Sequence, residues 1–230
     1  MNKVTKNDIR FDDYTDNYQQ KIQESINFSG QDVDFFIQVK AKIILELIKK
    51  HCSGKDIKVL DIGSGVGLVD KYLIGKIKNL YGVDVEDGVV NKAIENNPGV
   101  KYQKYDGENL PFECGVFDFA FAINVMHHIH PRKWQLFTDE MRRVLKPGGI
   151  AVVFEHNPFN PLTRRVVRGC EFDRGAVLLS HKTIKELFVN SNLKLVEGSY
   201  ILFFPFKGGV FRALEKSIKW LPLGAQQFVI

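Results

Sequence analysis

The sequence VLDIGSGVG, residues 59–67, decides how this 230-residue chain folds. The apolar run 57–62 predicts a buried strand, and the three glycines that follow it stand at alternate positions. Glycine is needed where the backbone turns tightly, adopts a positive φ or lies against a ligand. Apolar residues in the stretch 68–73 then predict a helix. A strand, a glycine loop and a helix in this order are the usual cradle for a nucleotide-like cofactor in an open parallel sheet.

The spacing of the glycines separates this loop from the dinucleotide-binding fingerprint. That fingerprint is G-x-G-x-x-G, whereas one residue stands between Gly63, Gly65 and Gly67, and the acid Asp61 precedes them. The pattern resembles the cofactor motif of class I S-adenosylmethionine (SAM)-dependent methyltransferases, apolar-apolar-(D/E)-x-G-x-G-x-G. The resemblance implies that Asp61, Ser64 and the glycines bind SAM, with S-adenosylhomocysteine as the product.

A second acid follows at the end of the next predicted strand, 80–84. In a doubly wound sheet, an acid at the tip of the second strand accepts hydrogen bonds from both ribose hydroxyls of the cofactor. Asp84, with Val85 beside it, is therefore predicted to bind the ribose. In the alternative interpretation, Asp84 caps the helix predicted around 89–95, a role that Asp87 could serve instead.

A third acid stands after the predicted strand 100–105. The run DGENLPF, residues 106–112, resembles the G-D-A-E-x-L-P-F segment of the same family. The resemblance implies that Asp106 accepts a hydrogen bond from the adenine amino group. Gly107 replaces the usual alanine and leaves a backbone contact with the ring possible.

Histidines cluster after the fourth predicted strand, 117–123, which is apolar on both faces as a central parallel strand should be. The run NVMHHI, residues 124–129, again resembles the family, and Asn124 is predicted to contact the cofactor. If the acceptor is a hydroxyl, a base must take its proton. Candidates are His127, His128 and, after the fifth strand, His156, since imidazole titrates near pH ~6.5. A structural role for His128 is the alternative.

The reaction that the resemblance implies requires no metal. The methyl carbon of SAM is activated by the sulfonium, so the protein has to align acceptor, methyl and sulfur and to exclude water. Metal ligands do not cluster in the sequence, and the three cysteines form no C-x-x-C motif.

The N-terminal segment 1–50 is predicted to form a helical lid, with a helix over 34–50. Many small-molecule methyltransferases have such a segment closing over the cofactor. Tyr14, Tyr18, Phe36 and Lys40 are lid candidates, and Tyr18 and Lys40 are assigned to the cofactor. Core aromatics and a surface lysine are the alternative.

The C-terminal segment 156–230 is predicted to shape the acceptor side and to end in a hairpin. Its pattern loosens over 157–180, where Arg164, Arg165 and Arg168 could bind an anionic substrate. Internal salt bridges to Glu171 and Asp173 are the alternative. The remaining expectations are a helix capped by Ser180, a strand over 193–204, an amphipathic helix over 211–221 that could meet a membrane surface, and a last antiparallel strand over 226–230.

Composition is typical of a globular cytoplasmic protein. Hydrophobic residues make up 44% of the chain, and no signal peptide or run of ~20 apolar residues is present. A net charge of +5 permits an anionic partner, but a basic solvated surface explains it and a nucleic-acid partner is not expected.

Together these features predict one Rossmann-like α/β domain over 1–230, with its SAM-binding core at 55–155. Its doubly wound sheet has seven strands, mostly parallel, with an antiparallel C-terminal strand. We expect a monomer or homodimer that methylates a small molecule or a glycan or lipid precursor, on oxygen in preference to carbon or nitrogen. The rivals are a nucleic-acid methyltransferase, whose Asn/Asp-Pro-Pro-aromatic tetrad is not found at residues 124–127, and a non-catalytic SAM-binding module.

Overall fold

The computed structural model describes residues 18–27, 30–54, 56–204, 214–215 and 217–230. The helices are α1 (Tyr18–Ile26), α2 (Val33–His51), α3 (Asp87–Asn96), α4 (Trp134–Val144), α5 (Pro161–Gly169) and α6 (His181–Asn190). The strands are β1 (Lys58–Ile62), β2 (Asn79–Asp84), β3 (Lys101–Lys104), β4 (Phe117–Ile123), β5 (Leu145–His156), β6 (Gly198–Ile201) and β7 (Gln226–Val229). Among the described residues, every helix is too short or too polar to cross a bilayer.

The seven strands form one sheet in the order β3-β2-β1-β4-β5-β7-β6. Strands β1 to β5 pair in parallel, and β7 inserts antiparallel between β5 and β6. The prediction of a doubly wound, mostly parallel seven-stranded sheet with an antiparallel C-terminal strand is confirmed. The order reverses direction between β1 and β4, and this is where open α/β sheets bind ligands.

The central strand β4 is buried on both faces, as its sequence predicts. Phe119 and Phe121 point into a cluster with α2, whereas Ala120 and Ala122 point into a second cluster with α4 and α6. Side chains alternate between the faces of a strand, so one apolar run serves two cores.

Helix α2 is fixed to both the sheet and the glycine loop. Asp32 caps it by accepting from the backbone N–H of Phe35 at 2.8 Å. Asp34 binds the Lys71 ammonium at 2.7 Å and also the Tyr72 hydroxyl, both in the segment after the loop. The charge and the hydrogen bonds outweigh burial and lower the pKa of Asp34 to about 2.

The segment 157–180, predicted to be irregular, contains helix α5. The Asn160 side chain caps it by accepting from the Thr163 N–H at 3.0 Å, and Pro161 occupies the first turn. The cap of α6 is confirmed, because Ser180 accepts from the Thr183 N–H at 3.1 Å.

The prediction of a helix after the glycine loop is wrong. Only a short 3-10 helix, Asp70–Tyr72, forms there. The Asp70 carboxyl is fully buried and accepts from the Tyr102 hydroxyl at 2.6 Å, which pulls this turn beneath the loop. Gly75 then turns the chain with a φ of +77° and ends any helix.

Three C-terminal expectations need correction or lie outside the described residues. Strand β6 covers Gly198–Ile201 and not 193–204. The fifth strand, predicted from the apolar run 150–155, begins earlier, at Leu145. The predicted tail helix 211–221 falls partly outside the described residues, and Tyr14 falls outside them entirely.

The last glycine of the loop provides a test of this packing. Gly67 has a φ of +75°, and a Cβ there would lie 2.2 Å from Asn97 Nδ2 and 2.6 Å from the Tyr102 hydroxyl. Gly67→Ala should therefore lower the free energy of unfolding by about 3 kcal/mol, from left-handed backbone strain plus overpacking. Gly75→Ala is the matched control, because its φ is similar but no atom lies within 4 Å. Urea unfolding showing equal losses in both variants would contradict the packing described here.

Candidate active site

A cavity of about 810 Å³ opens at the carboxyl ends of β1, β2, β4 and β5. Helices α2 and α5 cover it, together with α1 and the segment that follows β6. Its position matches the reversal of strand order, where the connections leave on opposite faces of the sheet. The cavity has two chemically different ends, described in turn.

The glycine loop at the first end is tied to the tip of β2. The Gly63 and Ser64 N–H groups donate to the Val83 carbonyl at 2.8 and 3.0 Å, and the Gly65 N–H donates to Asp84 Oδ2 at 2.8 Å. The predicted need for positive φ is confirmed, with values of +76°, +54° and +75° at Gly63, Gly65 and Gly67. The loop backbone therefore forms the floor of the cavity at fixed distance from β2.

Asp84 lines the cavity with its carboxylate partly occupied by the loop. Oδ1 accepts from the Val85 N–H at 2.7 Å, and Oδ2 accepts from Gly65. Burial raises its pKa despite these backbone hydrogen bonds. The alternative role as a helix cap is wrong, since the residue before α3 is Glu86. The Glu86 N–H also donates to this carboxylate. A carboxylate offers about four lone-pair positions, so three backbone donors leave about one for a further donor such as a ribose hydroxyl.

Beneath the loop, Asp61 and Asp70 form a buried carboxyl pair. The charge of Asp70 acts on Asp61, and the Tyr102 hydroxyl donates to Asp70. Asn97 Nδ2 lies 3.2 Å from that hydroxyl and donates to the Gly67 carbonyl at 2.9 Å, which links the pair back to the loop. Burial, and then the negative charge of its partner, raise the pKa of Asp61 well above its usual range, and burial raises that of Asp70 to about 7. A shared proton explains how two acids remain 2% exposed or less.

Asp106 lies outside the cavity, contrary to the role that the resemblance implies for it. Its carboxylate is exposed and accepts from the Glu108 and Asn109 N–H groups at 2.8 and 2.6 Å, so it closes its own turn. The Asn109 side-chain hydrogen bond, with these backbone bonds, lowers its pKa to about 2. Gly107, next in the chain, does line the cavity.

Most of the other predicted cofactor residues line the cavity. They are Asp61, Gly63, Ser64, Gly65, Val85, Asn124 and Lys40. Gly67 instead packs behind the loop, and Tyr18 begins α1 with its side chain outside the described set. Asn124, at the end of β4, has a φ of +56°. This left-handed conformation is strained for a residue other than glycine.

Lys40 projects from α2 into the cavity and is 6% exposed. Burial lowers its pKa to about 8, against the opposing charge of Glu155. Burying an ammonium is costly unless a negative group meets it. Lys40 is therefore suited to bind a carboxylate inside the cavity.

The second end of the cavity holds three histidines and two acids. His127 is buried, with Nδ1 2.6 Å from Glu155 Oε2 and Nε2 3.2 Å from Asp173 Oδ1. His128 Nε2 lies 3.6 Å from the same Asp173 oxygen, and the His156 ring centroid lies 5.1 Å from that of His127. The predicted grouping of His127, His128 and His156 at one site agrees with their places along the cavity wall.

The histidines differ in charge. Burial alone would lower the pKa of His127, but Glu155 and Asp173 raise it to about 10, so it carries a proton between two carboxylates. Burial and the charge of His127 lower the pKa of His128 to about 3 and that of His156 to about 4. Both are therefore neutral near pH 7, and His128 retains 28% side-chain exposure.

The three predicted substrate arginines point away from the cavity. Arg164, Arg165 and Arg168 are exposed on α5, whereas Thr163 and Val166 of that helix line the cavity wall. This placement argues against their direct contact with an acceptor bound inside. The two acids of the alternative interpretation have other partners, because Glu171 pairs with Lys21 and Asp173 lies against His127 and His128.

Sequence reasoning missed three acids that shape the site. Asp173 was considered only as a partner for arginines, yet it binds His127 across 46 residues. Glu155 was taken only as the end of a strand, and Asp70 as part of a helix. Each of these acids stands in or beside an apolar stretch, which is a sequence signal for a buried carboxyl. Their partners could not be predicted, because they are distant in the sequence.

The comparisons with known proteins agree with the fold. A family model described as Methyltransferase domain matches residues 60–153. The chain is similar in structure to a SAM-dependent methyltransferase from Thermotoga maritima, with a TM-score of 0.63, 22% identity, and 95% and 96% of the two chains covered. At that identity the likeness shows the fold alone.

Curated relatives include enzymes of two reaction types. The ubiquinone/menaquinone biosynthesis C-methyltransferase UbiE of Campylobacter jejuni is 32% identical over 108 residues, 44% of this chain and 45% of that protein. A ubiquinone biosynthesis O-methyltransferase of Rickettsia bellii is 25% identical over 197 residues, 80% of this chain and 77% of that protein. Over the first relatives found, the chain spans only 37–49% of their length.

The buried acid pair predicts an unusual pH dependence of stability. The folded pKa of Asp70 lies above the unfolded value of ~3.9, so the folded state holds a proton that the unfolded state releases. Stability from this group is complete below pH ~4 and is lost as the pH rises towards the folded pKa. Asp70→Asn should remove the part of this loss that Asp70 causes, on the order of 2 kcal/mol between pH 5 and 8, while Asp61 keeps the part due to its own burial. Thermal unfolding across that range measures it, with exposed Asp87→Asn as control, and an unchanged slope in Asp70→Asn would refute the pair.

Proposed function

We propose that this chain, whose residues 60–153 match a methyltransferase-domain model, is a class I SAM-dependent methyltransferase that transfers the methyl group of SAM to an oxygen of its acceptor. The acceptor is a small molecule or a glycan or lipid precursor. The observation that carries this proposal is one cavity with the glycine loop and Asp84 at one end and neutral His128 at the other.

The first end supplies cofactor binding. Asp84 would accept from the ribose hydroxyls, and Lys40 would pair with the methionine carboxylate. SAM, when bound, supplies an activated methyl group, and the chain has to hold it and keep water away.

The second end fits an oxygen acceptor. An alcohol that attacks the methyl group must lose its proton, and neutral His128 is exposed enough to accept a hydrogen bond from it. His127 is excluded as the base because it already carries a proton between Glu155 and Asp173. A base with a pKa of about 3 works best on an acceptor whose hydroxyl is itself acidic, such as a phenol or an enol.

The cavity wall favours an apolar acceptor. Phe36 from α2, Leu162 from α5, and Phe172 and Phe203 from the segments after α5 and β6 all line it. Apolar walls exclude water, which strengthens polar interactions inside the site and prevents hydrolytic side reactions. An aromatic or lipid-like hydroxyl compound fits this lining better than a charged sugar.

Carbon methylation is the second candidate, and the UbiE relative is the observation that favours it. An enol or phenol presents both an oxygen and an adjacent carbon as nucleophiles. The same acceptor class therefore serves either reaction, and the product decides between them.

Asp84→Asn tests the cofactor assignment. The amide loses the negative charge and one acceptor oxygen, so SAM affinity should fall by about 10- to 100-fold, the equivalent of one or two charge-assisted hydrogen bonds. Isothermal calorimetry with SAM and S-adenosylhomocysteine measures the loss. Asp87→Asn, an exposed acid on the adjacent helix, should bind as the wild type does. Equal affinity in Asp84→Asn would remove the ribose role.

Labelled methyl incorporation tests the reaction and the acceptor end together. Wild-type protein with methyl-labelled SAM should modify apolar phenols or enols, and mass spectrometry should locate the methyl on oxygen. His128→Gln should lower kcat by roughly 100-fold, with the SAM Kd within two-fold of wild type. His130→Gln, an exposed neighbour, is the control. SAM binding without transfer to any acceptor fraction would instead support a non-catalytic SAM-binding module.

A further inference from the structure

The acceptor end of the cavity brings together three side chains with metal-binding atoms. They are His127 and His128, at the tip of β4, and Asp173, in the segment after α5. Their ligand atoms all lie within 4.8 Å of one another. His127 Nε2 and His128 Nε2 lie 3.2 and 3.6 Å from the same Asp173 oxygen.

The two separations from Asp173 match those around a small divalent cation. Ligand atoms at about 2.0–2.1 Å from a tetrahedral ion are separated from each other by roughly 3.4 Å. The two distances to Asp173 lie on either side of that value. Two imidazoles with one carboxylate are the ligand type of open metal sites that keep positions free for substrate. We propose that His127, His128 and Asp173 bind one divalent cation, such as Zn²⁺ or Mn²⁺, at the acceptor end of the cavity.

Glu155 has the position of the outer-sphere carboxylate that metal-bound histidines use. Its Oε2 meets His127 Nδ1 at 2.6 Å, and its Oε1 accepts from the Met126 N–H at 2.7 Å. Glu155 is itself completely buried, so this orientation is held by packing. A carboxylate on one ring nitrogen directs the other nitrogen towards a metal and increases its basicity. Nε2 of His127 faces Asp173 for this reason.

The charges around the cluster also favour a divalent ion. Glu155 and Asp173 contribute two negative charges, and their side chains are 0% and 10% exposed. The two ring nitrogens of His127 face these carboxylates, Nδ1 towards Glu155 and Nε2 towards Asp173. A divalent ion at Nε2 would balance both carboxylates, since buried charges require paired or metal-bound partners. Lys40, the other cation facing Glu155, then remains for the cofactor carboxylate.

The ion would act on the acceptor that the proposed function assigns, so its role rests on that function although its binding does not. With the ion bound, His128 would be a ligand and would no longer serve as the base. The acceptor hydroxyl would bind at an open position of the ion, which would lower its pKa, and its proton would pass to solvent before the methyl transfer. The oxygen lone pair forms the new bond to the methyl carbon as the carbon–sulfur bond breaks. The electron pair of that bond stays on sulfur and gives neutral S-adenosylhomocysteine.

Metal binding is tested directly on the full chain. Chelator-treated protein is dialysed against Zn²⁺ or Mn²⁺ and then analysed for bound metal, with Co²⁺ absorption as a second readout of nitrogen and oxygen coordination. One ion per chain is expected. Asp173→Asn and His128→Gln should each weaken binding by at least 10-fold. His130→Gln, which changes an exposed histidine close in sequence, should bind as the wild type does.

The outcomes separate this proposal from the proposed function. Circular dichroism checks each variant for folding, and because the His128 side chain is 28% exposed, His128→Gln remains usable if Asp173→Asn unfolds. Calorimetry with SAM on metal-free protein tests the cofactor site independently. SAM binding without a stoichiometric ion, or equal metal binding by His128→Gln and wild type, would overturn the metal site and leave the methyltransferase assignment standing. A stoichiometric ion in a protein that does not bind SAM would support the metal site and overturn the assigned function.

Discussion

The hydrogen bond from the Gly65 N–H to the Asp84 carboxylate, at 2.8 Å, is the interaction on which the site depends. With the two bonds from Gly63 and Ser64 to Val83, it fixes the loop after β1 to the end of β2. These two strand ends lie beside the reversal of strand order, so the bond holds open the crevice that the topology creates. A side chain in place of these glycines would meet strained backbone at positive φ, and at Gly63 it would also meet Val125 at 2.5 Å.

The two ends of the cavity hold buried acids by different physical means. Below the loop, Asp61 and Asp70 retain a proton because burial and mutual repulsion raise their pKa values. At the other end, Glu155 and Asp173 remain ionised because His127 stands between them. Burying a charge costs free energy unless the charge is paired or neutralised. Protonation at the first end and ion pairing at the second therefore reduce the cost of burying these acids. The acids at the cofactor end are therefore protonated, whereas those at the acceptor end are ionised and paired with His127.

The sequence predicted the parts of the fold that depend on local pattern. The glycine loop, the twofold-buried strand β4, the Ser180 cap and the antiparallel β7 all follow from spacing and periodicity and are confirmed. The failed prediction of a helix after the glycine loop has its cause in a side-chain contact between distant segments. Asp70 is drawn under the loop by Tyr102, which shortens the predicted helix to one turn. Helix α5 was missed although it has a local signal, the capping residue Asn160 followed by Pro161. The rest of segment 157–180 has no regular apolar pattern that would indicate a helix.

The site was predictable to a similar extent. Motif resemblance placed Asp61, Asp84 and Asn124 at the cavity, since strand ends meet at one edge of a parallel sheet. Two other predicted groups do not line the cavity. They are Asp106, whose carboxylate closes its own turn, and the arginines of α5, whose helix turns them outward. Motif resemblance could not find Asp173, because a contact with His127 across 46 residues leaves no periodic trace.

The central claim is that one cavity binds the adenosyl group against the glycine loop and directs the sulfur towards the histidines. A crystal structure of the protein with S-adenosylhomocysteine tests it most directly. The account predicts both ribose hydroxyls within about 3 Å of the Asp84 carboxylate, and the sulfur facing the end of the cavity that His128 lines. Electron density for the ligand elsewhere, or with its ribose away from Asp84, would contradict the account.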